Sequence, residues 1–224
     1  MKSPLNLVKS LLATAGVAAL SAVSAAPASA FTFSNIDGGD TVGDAYVNRL
    51  TFEVVNDGAS VLFKINNSED AAAPPLFISK LFIADTNNYL SAPSVNIGNV
   101  GQVRFKGGAG NDQLPQGGNN FITNYAFSRD TGDGNGWGIQ GGESLGVSFT
   151  GSYNNVMTAL SDGTLKLGLH VQALPNDASD SYISSSSGGN TQDTPEPLTM
   201  LAAGAAVGFG TMFKKQLAQA QKAE

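Results

Sequence analysis

Residues 130–143, DTGDGNGWGIQGGE, gather acidic and amide oxygens around the only tryptophan of the chain. Asp130, Asp133 and Asn135 offer hard oxygen ligands in a Gly-rich stretch, the donor type that Ca²⁺ takes in flexible loops. The spacing is not that of an EF-hand: counted from Asp130, the third position is Gly132 and the twelfth is Gly141, where a bidentate Glu belongs. Two readings therefore stand. One is an irregular surface Ca²⁺ site; the other, commoner in such sequences, is a turn in which short Asp and Asn side chains bond their own backbone. Trp137, between Gly136 and Gly138, divides the same way. Exposed, its ring would stack on a sugar of a polysaccharide; tucked inward, it would pin the loop to the core, the usual fate of so large a ring.

Other residues are weaker prospects. Gly107-Gly108-Ala109-Gly110-Asn111-Asp112-Gln113-Leu114 fits the GGxGxDxU repeat of calcium-binding β-rolls. A β-roll shares each ion between successive turns, however, and with a single copy the segment reads as a hairpin loop. His170, in LKLGLHVQ, falls on the face of Lys166 and Gln172, opposite the leucines, and so toward solvent. With one His and no Cys, the chain lacks thiol chemistry, Cys/His zinc sites and disulfides. Paired carboxylates, such as Asp130 or Asp133 with Glu143, would suit a secreted glycoside hydrolase acting on matrix polysaccharide. With 16 acidic residues between positions 31 and 194 such pairs arise easily, and the chain reads as non-catalytic, with no cofactor unless Ca²⁺.

The elements that must position these residues show a period of two. Leu50, Phe52 and Val54 alternate with Arg49, Thr51 and Glu53, then Val61, Phe63 and Ile65 with Leu62 and Lys64, joined by Asn56-Asp57-Gly58 as a hairpin. Further strands are predicted over 76–84, 100–106, 121–127, 145–149 and 164–173, and one short helix over 154–160, stopped by Ser161-Asp162-Gly163. Short strands between turns rich in Gly, Asn, Asp and Pro define an all-β fold, an antiparallel, jelly-roll-like β-sandwich over 31–183. An N-terminal signal helix and a C-terminal transmembrane helix flank it, and the Ser/Gly-rich 184–194 reads as a solvated linker.

The 224 residues hold 12 Lys and Arg against 18 Asp and Glu, and the asymmetry is regional. Residues 31–194 carry 7 basic and 16 acidic side chains, a net charge of −9 that argues against nucleic acid as a partner. Basic residues elsewhere border two apolar runs. At the start, Lys2 and Lys9 precede a charge-free Leu11 to Val23, and Ala28-Ser29-Ala30 follows. This is a secretory signal peptide over 1–30, read by the Sec translocon and by signal peptidase through Ala28 and Ala30, with cleavage before Phe31.

At the other end Thr194-Pro195-Glu196-Pro197 precedes the uncharged Leu198 to Phe213, then Lys214 and Lys215. Sixteen helical residues reach about 24 Å at ~1.5 Å each, short of a ~30 Å hydrocarbon core. The anchor is marginal, and the positive-inside rule keeps Lys214 and Lys215 cytoplasmic as a membrane stop. Pro195-Glu196-Pro197 then sits at the outer face.

Over 195–224 the PEP motif, short Gly/Ala-rich helix and basic cluster resemble the PEP-CTERM sorting tail of exported bacterial proteins, in its cyanobacterial style. The resemblance implies recognition by a membrane exosortase, removal of the helix, and transfer to the cell surface or extracellular matrix. The expected protein is a processed, non-catalytic surface or matrix protein that binds polysaccharide or Ca²⁺. A glycoside hydrolase and a permanently membrane-tethered protein are the alternatives.

Overall fold

The computed structural model describes residues 28–36, 41–68, 75–110, 112–131 and 137–185. The signal helix expected before residue 28, the linker from 186 and the whole sorting tail lie outside the described residues. Among those described, no helix is long and apolar enough to cross a membrane.

The alternation read in the sequence sets the central hairpin. Phe52, Val54, Val61, Phe63 and Ile65 are fully buried, while Thr51, Glu53, Leu62 and Lys64 are only partly covered. Strands β2 (Leu50–Asp57) and β3 (Ser60–Asn67) pair from Leu50 opposite Asn67 to Asp57 opposite Ser60. The loop is therefore Gly58-Ala59, one residue later than the expected Asn56-Asp57-Gly58. Gly58 has φ +68° at the first loop position, the conformation for which a two-residue type II′ hairpin selects Gly.

The other strands are β1 (Ala28–Asn35), β4 (Phe77–Asp85), β5 (Ser91–Val95), β6 (Phe105–Ala109), β7 (Tyr125–Arg129), β8 (Glu143–Thr150), β9 (Leu165–Leu174) and β10 (Ala178–Ser184). All pairings are antiparallel, and the order is β5-β8-β3-β2-β1-β10-β9-β4-β7-β6. Strand β1 serves two halves of this sheet: residues 28–32 pair with β2 and residues 33–35 with β10. The sheet turns over at β1 and brings its two ends, β5 and β6, back together.

Asn96, at φ +66° just beyond β5, bridges that seam. Its amide nitrogen donates to the Phe105 carbonyl at 2.8 Å, and its amide oxygen accepts from the Phe105 N–H at 2.9 Å. A side chain thus takes the place of a strand residue, and the ten strands form an almost closed barrel. Phe149 meets Phe63 of the neighbouring strand and, across the two halves, Tyr125 and Phe127, all edge to face with ring centroids 5.0–6.3 Å apart. Helix α1 (Tyr153–Asp162) adds Val156, Ala159 and Leu160 to this core and stops at Gly163 (φ +76°), as Ser161-Asp162-Gly163 leads one to expect.

Five strands differ from expectation. Over 100–106 only Val100 bridges Ser144 before β6 begins at Phe105, and the strand expected over 121–127 starts at Tyr125. Strands β1, β5 and β10 were not anticipated. SAPSV of β5 is largely exposed, and β10 buries polar Asp180 and Ser181, so neither shows the apolar alternation of a half-buried strand.

Candidate functional site

The outer face of the half-sheet β10-β9-β4-β7-β6 carries a row of polar side chains. Strand β4 shifts register against β9 between Ile78 and Lys80. Ser79 is the extra residue, and its hydroxyl donates to the His170 carbonyl at 2.9 Å. Such a bulge re-aims the side chains beside it: Ile78 and Leu81 both enter the core, while Lys80 stands on the outer face. Across the strands Ser128, Lys80, His170 and Ser181 are successive partners in one row.

The next row, Ala126, Phe82, Gly168 and Ile183, is apolar and lies under Leu114 and Phe121 from the β6–β7 connection. Gly168 makes this roof possible, because a Cβ there would lie 2.7 Å from Leu114 Cδ2 and 3.0 Å from Phe121 Cζ. The cover reaches Pro115. Beyond it opens a cleft of about 330 Å³, where Lys80, Arg129 and His170 meet the neutral donors of Ser128, Thr131 and Gln172.

His170 is half-buried rather than fully in solvent, with Nδ1 3.3 Å from the Ser181 hydroxyl. Burial and the Lys80 cation hold its pKa below that of a free imidazole, against a smaller opposing effect of a hydrogen bond with the Asp180 backbone. Lys80 Nζ lies 3.5 Å from the exposed Asp112 carboxylate. The Arg129 guanidinium sits 4.7 Å from the Phe77 ring centroid.

The 130–143 loop is differently placed. The Asp130 carboxylate lies 3.4 Å from Arg104 Nε and 3.1 Å from Lys106 Nζ, with 19% of its side chain exposed. That donor is already matched by two cations, a poor fit to Ca²⁺. Asp133 and Asn135 lie outside the described residues. Among the described residues, no group of three or more His, Cys, Asp or Glu could hold a metal. Glu143 spends both oxygens on backbone N–H groups, of Gln102 at 2.8 Å and Gln140 at 2.9 Å. Trp137 is half-buried; its carbonyl accepts from Arg104 N–H at 3.1 Å, and the Arg104 guanidinium stands 6.0 Å from its ring centroid.

The β-roll-like segment is dispersed among structural tasks. Gly107 to Ala109 belong to β6, Asp112 faces Lys80, and Leu114 roofs Gly168. Gly107 (φ +139°) is needed because a Cβ would lie 2.2 Å from the Ala126 carbonyl oxygen. A Gly-x-Ser-x-Gly elbow is not expected in the exported domain, yet Gly142-Glu143-Ser144-Leu145-Gly146 has the spacing of one. Its Ser144 lies within β8, 8% exposed and opposite Asn66, not on the strand-to-helix turn that such an elbow requires.

Ala28 and Ala30 fall in β1 opposite Val55 and Glu53. Pro195, Glu196, Pro197, Lys214 and Lys215 lie outside the described residues. What sequence reasoning missed is the row formed by Ser128, Lys80 and His170. Its only local trace is the outward position of Lys80 and His170 in their strands.

No family model matches the chain, and no curated protein matches it. One solved structure, described as pH-induced modulation of Streptococcus parasanguinis adhesion by Fap1 fimbriae, aligns with 76% of this chain and 100% of its own. It shares 14% identity at a TM-score of 0.37, a likeness that carries no argument about fold or function.

Proposed function

We propose that this is an exported, non-catalytic protein of the cell surface or extracellular matrix, delivered by an N-terminal signal peptide and a C-terminal tail cut by an exosortase. The observation that carries the reading is Pro195-Glu196-Pro197 ahead of a short apolar run and Lys214-Lys215, on a chain that opens with a signal-peptide pattern. Signal peptidase meets Ala28-Ser29-Ala30 during export, before the sheet forms. Cleavage there removes three residues of the β1–β2 ladder but keeps Phe31, stacked on Phe52 at 4.9 Å, and the pairing of β1 with β10. The tail then holds the domain at the membrane, and the polar 184–194 segment gives the exosortase access to its motif.

In finer terms the fold is a flattened, jelly-roll-like sandwich, two five-stranded halves sharing one core. Its work is binding to extracellular polysaccharide. The ion pairs of Asp130 and the two capped oxygens of Glu143 speak for binding over hydrolysis, since a glycosidase needs one carboxyl free to give a proton and another free to act on sugar or water. Ca²⁺ at Asp130 would have to displace Arg104 and Lys106, and a sugar on Trp137 would share the ring with Arg104.

The protein recovered from its producing cells should sediment with matrix polysaccharide and release no reducing ends. Reducing ends that disappear on Glu143→Gln would make it a glycoside hydrolase instead.

A further inference from the structure

The cleft beside His170 shares Thr131 with the 130–143 segment but none of the residues singled out there for Ca²⁺ or sugar, and none of the sorting signals. Residues 31–194 carry a net charge of −9, yet two cations, Lys80 and Arg129, line one recess of about 330 Å³ together with the His170 imidazole. A concave site lined by one sign of charge concentrates ligands of the other sign, and the volume lies at the small end of ligand pockets, ~300–1,000 Å³. Lys80 and His170 are cross-strand partners, so their backbones are fixed by the sheet. The Arg129 guanidinium rests 4.7 Å from the Phe77 ring centroid, a contact that helps hold it, and its planar fork of N–H donors suits an oxyanion.

Beside these charges stand neutral groups, the Ser128 and Thr131 hydroxyls and the Gln172 amide, suited to hydroxyl groups flanking a single negative charge. Lys80 already has a carboxylate partner, Asp112, 59% exposed and 3.5 Å from its Nζ. So exposed a pair contributes little, and a ligand carboxylate can take its place.

From this we propose that the cleft binds an acidic sugar, a uronate unit whose carboxylate is held by Arg129 and Lys80 and whose hydroxyls are met by Ser128, Thr131 and Gln172. The proposed function supplies only the source of the ligand, a matrix polysaccharide. Binding is read on purified protein, so its failure is distinct from a failure of sorting.

The test is calorimetric titration of the protein recovered from its producing cells with three probes: an oligouronate, a neutral oligosaccharide of equal length, and inorganic phosphate. The oligouronate should saturate and the neutral oligomer should not. Lys80→Met and Arg129→Gln should each weaken binding by about tenfold or more, the loss expected for a charge-assisted hydrogen bond. Asp112→Asn should tighten it by about two- to five-fold, the scale of an exposed ion pair. Equal binding of neutral and acidic oligomers, saturation by phosphate alone, or undiminished affinity in cleft variants that melt at the wild-type temperature would overturn the proposal. If either cleft variant melts early, Asp112→Asn decides: tighter binding supports the site, and unchanged binding overturns it.

Discussion

His170 lies beside Lys80 on a half-covered face, and both burial and the neighbouring cation favour the neutral imidazole. Its folded pKa is below the unfolded value of about 6.5, so within that interval the unfolded chain binds more protons than the folded one. Stability from this group is then complete above about pH 6.5 and declines as pH falls toward the depressed value. Denaturant titrations of wild type and His170→Gln at pH 7.5 and 5.5 should show wild type losing ground to the variant at the lower pH. A constant difference would mean that His170 does not titrate in this way. Its strand and face were legible from the alternation of LKLGLHVQ, but Lys80 and Ser128 beside it were not, because cross-strand neighbours are set by sheet register. The same holds for Asp130: its oxygens were visible in the sequence, its partners Arg104 and Lys106 were not.

The elements most clearly written in the sequence are those with one apolar face. Phe52 and Val54, Val61 to Ile65, and Leu165 to Val171 alternate because one side of each strand packs into the barrel. Strand β5 has little to bury, and β10 keeps Asp180 and Ser181 inside through local hydrogen bonding, including Ser181 N–H to Asp180 Oδ1 at 2.8 Å. Neither carries the periodic signal, and with them the closing of the sheet was hidden. That closure makes Asn96 a structural residue despite its exposure. Asn96→Gly keeps the left-handed backbone available and removes both amide bonds to Phe105, together with the weaker bond from Asn99 Nδ2 at 3.2 Å. The expected loss is about 1–2 kcal/mol, seen as a melting midpoint lower by roughly 2–8 °C. An unchanged midpoint would show that the β5–β6 seam adds no stability.

At the scale of the whole molecule, charge and hydropathy divide the chain into parts with separate tasks. The acidic 31–194 stretch contains the sheet and its local cationic recess, while most of the remaining basic residues border the apolar termini. The proposed address and the fold are written in the sequence in different ways. Sorting signals would be read by translocon, peptidase and membrane as linear patterns, which a sequence displays directly; the cleft exists only after three strands, β4, β7 and β9, align. The intact mass of the protein from native cell surface and medium tests the proposed sorting most directly. The predicted species begins at Phe31 and ends near Pro197, with or without an added group. A mass that retains residues 198–224 would contradict exosortase processing and make this a membrane-tethered protein.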